Sequence, residues 1–583
     1  MKKHLLSLFV VLLPLLASAQ LVYDYVEIGD IEYVLYEGHN TAEVSEWEGS
    51  LSYSGSINIP ATIAYDGTVY LVTKIGYGAF SGCSKVTSIT IPESVTMIEG
   101  EAFERCSSLT SITIPGGVTE IGGHVFSGCT GLSSITIPES VTEIGSYAFF
   151  ECSSLTSITI PEGVTAIHAR TFEGCSSLTS ITIPEGVTEI EAQAFRSCSR
   201  LTSITIPEGV TEIGEQAFQG CSRLTSITIP EGVTKIGYKA FYDCSSLAIV
   251  NLPESMTKIG QHAFDNCSKL ISINIPNGVT KIEFSTFSDC TSLVSAILPE
   301  GVTTIDGWAF GYCESLTSIN IPKSVTEIGS YAFSGCKSLT AVYINSLKAW
   351  CQISFVTNPL YYAGNLYLNG QLVTELVIPD SVTEIKGMAF EYCTSITSVT
   401  IPDGVTKIGN RAFGSCKNLT SVTLPEGMAE IKGQAFEGCS NLTSITIPEG
   451  VTKIGYNAFA YCNGLTFLIL PASLTKIESQ AFFDCTSLTS ITSNAITPPV
   501  ITYSFGQVDK SIPLYVPTGS VEAYKAAEGW SEFSNIIGIE TGVDNIEFNI
   551  QSSESTIDLM GRRVAKIQKG GIYIVNGKKV VIK

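Results

Sequence analysis

The cysteines are the residues whose type and spacing most suggest chemistry in this chain. Seventeen of the eighteen lie 23 residues apart, from Cys83 to Cys336 and again from Cys393 to Cys485, and Cys351 departs from this spacing. One cysteine per 23 residues provides no Cys-x-x-Cys pair, so the spacing does not predict a zinc site. At one position of a stacked repeat, Cβ atoms should lie about 5 Å apart, further than the roughly 3.8 Å of a disulfide. We predict a column of buried free thiols, with disulfides between some neighbours as the alternative.

Other reactive side chains give no support for catalysis. The histidines outside the N-terminal segment are His39, His124, His168 and His262, and they share no face with a recurring nucleophile. The sequence contains no G-x-S-x-G, H-E-x-x-H or phosphate-binding loop. Glutamates recur after the strand-ending prolines without an Asp-rich calcium loop, so calcium bridging stays open only as an alternative. The sequence therefore predicts a protein that is not an enzyme and needs no metal or cofactor.

One repeat, Leu201–Arg223, shows which elements must position these residues. Residues 203–206 alternate polar and apolar side chains and are rich in β-branched residues, which is typical of a short strand with one buried face. The two isoleucines are predicted to point inward and the hydroxyl residues outward. Pro207 lacks an N–H and ends the strand. No more than one helical turn fits before Cys221.

Phenylalanine shares the period of the cysteines, three residues before each of the seventeen. A fixed period of this length predicts a stacked array, in which each unit buries its apolar face only against its neighbours. Because each unit has room for short strands and not for helices, we predict a mostly β fold. The expected architecture is a solenoid of 23-residue units with a parallel sheet.

Three recurring motifs resemble the BspA-like branch of the leucine-rich repeat proteins. They are the L-x-x-I-x-I-P strand (Leu109 to Pro115), the V-T-x-I-G turn (Val141 to Gly145) and the A-F-x-x-C segment (Ala217 to Cys221). The resemblance covers about residues 70 to 500. It implies a curved leucine-rich-repeat solenoid. It also implies bacterial surface proteins that adhere to host proteins or to other cells.

The first residues have the pattern of a secretory signal peptide. Lys2–Lys3 precedes an apolar run from Leu5 to Leu16, and Ala17–Ser18–Ala19 is a typical cleavage site. The run is too short to span a membrane, and no later stretch is long enough. The mature chain is expected to be exported, to the extracellular space or the outer-membrane surface. A formal net charge of −22 disfavours nucleic acids and anionic membranes as partners.

The period also indicates how the chain is divided. The predicted segments are a signal peptide over 1–19, a β-rich N-terminal cap over 20–73, repeats over 74–340, an insert or atypical repeat over 341–378, repeats over 379–496, a small C-terminal cap over 497–540 and a distinct tail over 541–583. A cap is needed because the open sheet edge of the first repeat would otherwise aggregate. Asp66–Gly67 predicts a hairpin in the first cap, and Ser520 is expected to N-cap a short helix in the second.

The tail differs in composition from the repeats, with a basic rather than acidic balance. Its segments Asp558 to Val564 and Gly571 to Val575, followed by Lys578–Lys579, resemble the sorting tail of secreted Bacteroidetes proteins. The similarity is to the type A sorting domain of type IX secretion. It implies an export address and attachment at the outer membrane.

The segment 341–378 interrupts the period and is rich in aromatic residues. Its Asn369–Gly370 dipeptide, between two apolar stretches, predicts a hairpin with a type I′ turn. One interpretation is an oversized repeat whose aromatic side chains complete the core. The other is an aromatic group, with Trp350, Tyr361 and Tyr362, that contacts a partner, because Trp and Tyr are enriched at interface hot spots.

The outward strand positions form the surface most available to a partner. Serine and threonine fill them in most repeats, as at Ser203 and Thr205, and a solvated face with hydrogen bonds across the strands explains this pattern. An apolar side chain at such a position gains nothing from the core and tends to mark a contact. The candidate partner-binding residues on this face, where the hydroxyl pattern breaks, are Ile249, Asn251, Ile297, Phe467 and Ile469.

Adhesion is the function that these features favour. We predict a secreted or cell-surface bacterial leucine-rich-repeat protein that binds other proteins through the sheet face. The family resemblance implies host extracellular-matrix or other cell-surface proteins as partners. The alternative is a scaffold for glycan capture or surface assembly. The hydroxyl face permits that alternative, although carbohydrate sites usually contain aromatic platforms and the strand face has only Phe467.

Overall fold

The computed structural model of the chain describes residues 23–45 and 53–539, together with the tail strands Thr556–Asp558, Ile572–Val575 and Lys578–Val581. The predicted signal peptide and most of the sorting-like tail lie outside the described residues. Two compact units are present, Met1–Leu224 and Thr225–Lys583. The chain is a parallel β-solenoid of about 23-residue repeats, with 27% strand and 4% helix, which confirms the predicted mostly β class.

Most repeats contribute one strand to each of two parallel ladders. In the first ladder Ser111–Thr113 pairs in register with Ser134–Thr136. In the second ladder Glu120–Ile121 pairs in register with Glu143–Ile144. The turn between the two strands is closed by a hydrogen bond from a valine N–H to the carbonyl of the strand-ending proline, repeated along the chain. Equal repeat lengths therefore place each residue type beside its own copy in the next repeat.

The unit Met1–Leu224 contains the N-terminal cap and the first repeats. The cap strands are Tyr23–Ile28, Ile31–Tyr36, Thr41–Val44, Ser54–Asn58, Thr62–Tyr65 and Thr68–Ile75. Strands of the first ladder are Lys85–Thr90, Ser111–Thr113, Ser134–Thr136, Ser157–Thr159 and Ser180–Thr182. Strands of the second ladder are Met97–Ile98, Glu120–Ile121, Glu143–Ile144, Ala166–Ile167, Glu189–Ile190 and Glu212–Ile213.

The unit Thr225–Lys583 contains the remaining repeats, the insert and the C-terminal cap. Its first-ladder and hairpin strands are Ser226–Thr228, Ile249–Asn251, Ser272–Asn274, Ser295–Ile297, Ser318–Asn320, Ala341–Ile344, Leu366–Leu368, Gln371–Leu372, Glu375–Val377, Ser398–Thr400, Ser421–Thr423, Ser444–Ile445, Phe467–Leu470, Ser490–Ser493, Leu514–Pro517 and Ile536–Ile539. Its second-ladder strands are Lys235–Ile236, Lys258–Ile259, Lys281–Ile282, Thr304–Ile305, Glu327–Ile328, Ser354–Phe355, Glu384–Ile385, Lys407–Ile408, Glu430–Ile431, Lys453–Ile454, Lys476–Ile477 and Val500–Ile501. The helices are Leu347–Cys351, Leu360–Ala363 and Val521–Ala526, with 3-10 turns at Thr518–Ser520 and Trp530–Glu532.

Columns of identical side chains form the core of both units. Phe172 stacks between Phe149 and Phe195, with ring centroids 5.6 and 5.5 Å away. The repeat cysteines are buried free thiols, as predicted. Their thiol groups also donate to the carbonyl of a phenylalanine 26 residues earlier, as from Cys152 Sγ to Phe126 O at 3.1 Å. Cys83 and Cys393 are exceptions, because their thiols contact Ser81 O and Ser395 Oγ instead. A thiol of this kind therefore fills space and adds a second hydrogen bond to a carbonyl that already accepts from a backbone N–H, as Phe126 O does from Cys129 N.

The repeat Leu201–Arg223 shows how far the strand prediction holds. Ile204 and Ile206 are buried and Ser203 and Thr205 are exposed, which confirms the predicted orientation of all four side chains. However, residues 203–205 lie outside the regular strands, and only Glu212–Ile213 is a strand in this repeat. Burial therefore repeats along the chain more regularly than strand pairing does.

The N-terminal cap continues both ladders rather than standing apart from them. Thr68–Ile75 pairs in parallel with the second-ladder strand Met97–Ile98. Ser54–Asn58 pairs in parallel with the first-ladder strand Lys85–Thr90. The predicted hairpin is present, with positive φ of 46° at Asp66 and 79° at Gly67. Both open edges of the first repeats are thereby covered by backbone hydrogen bonds.

The C-terminal end of the array extends beyond the predicted limit of residue 496. Phe505 follows Phe482 by 23 residues and stacks on it at 5.3 Å, so the phenylalanine column gains another ring. Trp530 and Phe533 then pack against Phe505 at 5.4 and 5.8 Å. Ser520 is the N-cap residue of the short helix Val521–Ala526, as predicted, but its side chain makes no capping hydrogen bond. A 3-10 turn leads into the helix instead and places Ser520 in the αR region.

Candidate functional site

The sheet face of the repeats exposes three side chains per first strand. In a typical repeat these are Thr156, Ser157 and Thr159, and all three are exposed. The first of the three bonds to the backbone of the preceding repeat: Thr156 Oγ1 donates to Ser133 O at 3.4 Å, and Thr179 Oγ1 to Thr156 O at 3.3 Å. The face thus has three hydroxyl columns, one more than the alternation of the strand residues predicts.

Three of the predicted candidates lie on this face with their side chains exposed. Ile249 pairs with Ser226 in the strand register, and Ile297 pairs with Asn274. Both isoleucines are exposed, and Asn251, in the same strand as Ile249, is exposed as well. These apolar side chains replace hydroxyl residues without entering the core.

Two further apolar residues on this face were missed. Ile271 and Val294 occupy the first outward position, where most repeats have threonine, and Ala248 precedes them at the same position. Backbone hydrogen bonds link these residues, from Ile271 N to Ala248 O at 3.3 Å and from Val294 N to Ile271 O at 2.8 Å. The signal was present, because three successive repeats lose the threonine, but the residue after the strand leucine was not counted as outward.

We call the four exposed residues Ile249, Ile271, Val294 and Ile297 the apolar patch. Their exposed fractions are 56%, 53%, 44% and 62% respectively. They occupy three successive repeats, which places them within about 10 Å along the stack, given the usual strand spacing. The patch is bordered by Asn251 and by the hydroxyl residues of the same strands. It is an apolar centre with a polar rim on an otherwise hydroxyl-lined surface.

Phe467 and Ile469 do not join the apolar patch. They lie in the strand Phe467–Leu470, several repeats further along the chain, where they pair with Ser490 and Thr492. Both are half-buried rather than exposed. The sequence placed them correctly on the outward register, but they offer less surface to a partner than the patch does.

The insert buries the tryptophan that was predicted to contact a partner. Trp350 is 1% exposed, and its Nε1 donates to Ala389 O at 2.7 Å. It packs against Phe355 at 5.0 Å, so the proposal of a surface role for Trp350 was wrong. The helix Leu347–Cys351 turns the indole inward, where it satisfies a backbone carbonyl of the following repeat. For this residue the oversized-repeat interpretation is correct.

The two tyrosines of the insert lie nearer the surface. Tyr361 is exposed and packs edge-on against Tyr392 at 4.7 Å. Tyr362 is half-buried, and its hydroxyl lies 3.2 Å from Ser334 Oγ. The predicted hairpin follows them, with φ of 49° at Asn369 and 81° at Gly370. Only Tyr361 presents a large surface to solvent.

The reactive side chains are placed for structure rather than for chemistry. Burial raises the pKa of the Cys129 and Cys175 thiols to about 12, so at neutral pH they are not thiolate nucleophiles. His168 Nδ1 lies 3.0 Å from Glu191 Oε1, and His262 Nδ1 lies 2.7 Å from Asp265 Oδ2. Over the described part of the chain, no group of three or more His, Cys, Asp or Glu side chains could hold a metal ion. The helices described here include none long and apolar enough to cross a bilayer.

Comparison with known proteins places the chain in a family. It matches the BspA type leucine rich repeat region, present in six copies, over residues 68–177, 142–271, 258–360 and 364–505. A leucine-rich repeat protein from Bacteroides ovatus ATCC 8483 is 30% identical, over 77% of this chain and 95% of that one, with a TM-score of 0.39. A leucine rich cell surface protein from Faecalibacterium prausnitzii A2-165 is 28% identical, over 81% and 94% of the two chains, with a TM-score of 0.32.

None of the curated proteins matches the chain. The family match covers most of the residues from 68 to 505, including the apolar patch and nearly all the stacked columns. The repeat spacing, the two parallel ladders and the phenylalanine and cysteine columns all fall within this matched region. The chain belongs to the BspA-type leucine-rich repeat proteins, a family of bacterial surface proteins.

Proposed function

We propose that this protein is a non-catalytic adhesin that binds another protein through the apolar patch on its sheet face. The observation that carries the proposal is the exposure of Ile249, Ile271, Val294 and Ile297 at positions where other repeats have serine, threonine or asparagine. Exposed apolar groups of this kind, rimmed by polar residues, mark protein contact sites. Asn251 at the rim would contribute hydrogen bonds.

The charge of the chain narrows the class of partner. A formal net charge of −22 repels nucleic acids and anionic membranes at long range, and favours a neutral or basic protein surface. A neutral patch inside an acidic molecule lets the apolar contact supply the affinity while the charge rejects acidic competitors. Host extracellular-matrix proteins and other cell-surface proteins are the partners that we propose.

Display on a cell would strengthen such a contact. We propose that residues 1–19 direct export and that the tail 541–583 acts as a sorting address for surface attachment. Many copies on one surface would then bind many sites on a matrix at once. Multivalency of this kind raises overall avidity well above the affinity of one patch. Tyr361, exposed in the insert, is a second and smaller candidate contact in the same unit.

Four substitutions test the patch without disturbing the core. Ile249→Ser, Ile271→Thr, Val294→Thr and Ile297→Thr restore the residue types that other repeats carry at these positions. The combined variant should fold like the wild type, because none of the four side chains is buried, and should lose binding to the matrix protein that the wild type captures. Binding is measured by biolayer interferometry on immobilised fibronectin, fibrinogen, laminin and collagen.

Val377→Thr is the matched control. Val377 is exposed and occupies the same strand position as Ile297, but it lies outside the patch. The control should bind like the wild type. Unchanged affinity of the four-fold variant for a confirmed partner would exclude the patch, and an equal loss in the control would show that any exposed apolar residue matters.

A further inference from the structure

A second surface, on a different side of the same unit, carries exposed aromatic residues in three successive repeats. It is the turn side, the segment of each repeat between the second strand and the cysteine. We call Phe284, Trp308, Tyr312 and Tyr331 the aromatic strip. Trp308 lies 5.0 Å from Tyr331 and 5.6 Å from Tyr312 between ring centroids. Phe284, Tyr312 and Tyr331 are exposed and Trp308 is half-buried.

Three of these residues adopt a backbone conformation that disfavours bulky side chains. The φ angles of Trp308, Tyr312 and Tyr331 are 56°, 54° and 57°. Glycine adopts this region most readily, and asparagine follows it among other residues. Other repeats carry glycine at the position of Tyr312, and glutamine at the position of Trp308 and Tyr331. Glutamine has a similar φ at the position of Trp308, as at Gln193 with 61°, so the backbone strain belongs to the position and not to the aromatic side chains. Exposed rings gain little stability from the core, so core packing does not explain why these repeats carry them.

Glycines of the turns leave room for the rings. A Cβ added at Gly335 would come within 2.5 Å of the Tyr312 ring, and one at Gly311 within 2.7 Å of the Trp308 ring. At Gly307 an added Cβ would lie 3.3 Å from the Phe284 ring. The rings therefore rest against backbone, which holds them in place while part of each stays open to solvent.

Planar polar side chains occupy the three repeats that precede Tyr312. In the three repeats before Tyr312, the position of that tyrosine is taken by Asp243, Asn266 and Asp289. Asn266 Nδ2 donates to Asp243 Oδ1 at 2.8 Å, and Asp289 Oδ2 accepts from Ser288 Oγ at 2.9 Å. All three are half-buried and keep hydrogen-bonding capacity toward solvent. Carboxylates and an amide can accept from, or donate to, hydroxyl groups.

We propose that the aromatic strip binds a neutral polysaccharide. The apolar C–H faces of sugar rings would pack on the aromatic side chains, and sugar hydroxyls would bond to the row Asp243, Asn266 and Asp289. Because the polar row and the aromatic strip together extend over successive repeats, about 4.8 Å apart, the surface suits a polymer better than a single small molecule. The carboxylates and the net charge of −22 disfavour an acidic polymer.

This proposal does not rest on the adhesin proposal, because the strip lies on the turn side and the apolar patch on the sheet face. The two surfaces can be removed separately. Each proposal can therefore be refuted without refuting the other.

The test is affinity electrophoresis of the full chain in native gels. The gels contain β-glucan, glucomannan, dextran or mannan as neutral probes, and polygalacturonate or heparin as acidic probes. The wild type should be retarded by at least one neutral polysaccharide and by neither acidic one. The variant Trp308→Gln/Tyr312→Gly/Tyr331→Gln uses residues found at the same positions elsewhere in the array. It should lose affinity about tenfold or more.

The control variant is Tyr461→Gly. Tyr461 is exposed, has a φ of 61° and occupies the same position as Tyr312, but in a repeat outside the strip. It should be retarded like the wild type. The strip variant should also keep the melting temperature of the wild type, since glycine relieves the backbone at position 312 and glutamine has the same φ elsewhere in the array, as at Gln193 with 61°. A merely structural role for the rings predicts the opposite, a lower melting temperature.

The proposal is overturned if none of the four neutral polysaccharides retards the wild type, or if the strip variant keeps its affinity. Retardation by the acidic probes alone would also overturn it. If the strip variant instead loses binding to an immobilised matrix protein, the strip is a protein-binding surface and not a glycan site.

Discussion

At the scale of single residues, the cysteines show how one position serves two purposes. The period predicted buried thiols that act as small apolar groups, and the structure confirms their burial. It adds a regular hydrogen bond, as from Cys198 Sγ to Phe172 O at 3.1 Å. The same carbonyl also accepts from Cys175 N–H at 3.2 Å, so the thiol adds a second hydrogen bond to an acceptor that is already paired. A valine or alanine would fill some of the space but would lose that second bond.

The thiols should be nearly inert in the folded protein. Burial raises the pKa of Cys221 and Cys485 to about 12, so the reactive thiolate is scarce at neutral pH and access is blocked. With Ellman's reagent, we expect slow reaction of the native protein and prompt reaction of all eighteen cysteines in guanidinium chloride. Prompt reaction of many thiols in the native state would contradict the buried column.

Glu391 should make stability depend on pH. Burial raises its pKa from 4.5 to about 7, with Arg411 opposing the shift and Glu437 adding to it. The folded state therefore binds this proton more tightly than the unfolded state. The contribution of the protonated Glu391 to the free energy of unfolding is greatest at acidic pH. It is lost as the pH rises from 4.5 through about 7.

The Glu391→Gln variant isolates this effect, because glutamine cannot ionise. Free energies of unfolding are measured in urea for both proteins. The variant's value minus the wild type's should be more positive at about pH 8 than at about pH 5, because only the wild type loses the stabilisation. Glu375→Gln, at an exposed carboxyl of the same unit, serves as the control and should run parallel to the wild type. A difference between Glu391→Gln and the wild type that does not change with pH would refute the assignment.

At the scale of elements, the phenylalanine column couples each repeat to its neighbours. Phe172 is fully buried between two rings of the same kind, and Phe172→Ala should cost about 3–5 kcal/mol. Amide hydrogen exchange should increase first in the flanking repeats, because a solenoid is held together by nearest-neighbour contacts. Thr159→Ala, on the exposed face, should change stability by no more than about 0.5 kcal/mol. Uniform loosening of the whole unit would contradict this picture.

The elements also show what the sequence could and could not predict. The inward and outward positions of the repeats and both hairpins were readable, because each depends on neighbours within a few residues or on the 23-residue period. Phe505 was missed although it obeys the period, since the cysteine that usually follows is replaced by Val508. Trp350 was misplaced because its burial depends on a carbonyl 39 residues away, which no local pattern indicates.

At the scale of the whole molecule, the apolar core and the net charge affect stability in different ways. The core columns are apolar or hydrogen-bonded to backbone, whereas a net charge of −22 is spread over the surface. Mutual repulsion of surface carboxylates weakens the folded state at low salt. Raising sodium chloride from about 0.02 M to about 0.5 M should therefore raise the melting temperature, because the Debye length shortens. A fall over this range would show that the surface ion pairs outweigh the repulsion.

The two proposed binding surfaces differ in how much of each can be predicted from the sequence. The apolar patch is visible in sequence only once the outward positions are known, and the structure adds that Ile271 and Val294, which follow the strand leucines, are exposed. The aromatic strip is readable by counting from each repeat phenylalanine. However, the close contacts of the rings with Gly307, Gly311 and Gly335 are seen only in the folded structure.

The sequence by itself determined the period, the parallel ladders, the identity of the stacked columns and the family. These follow from repetition, because a residue that recurs every 23 positions must meet its own copy in the next repeat. Tertiary structure alone decided which aromatic residues are buried, which apolar residues gather on one face and which carboxyl groups lose their water. Those outcomes depend on side chains from several repeats or from the insert, and such contacts are set by packing in three dimensions rather than by spacing along the chain.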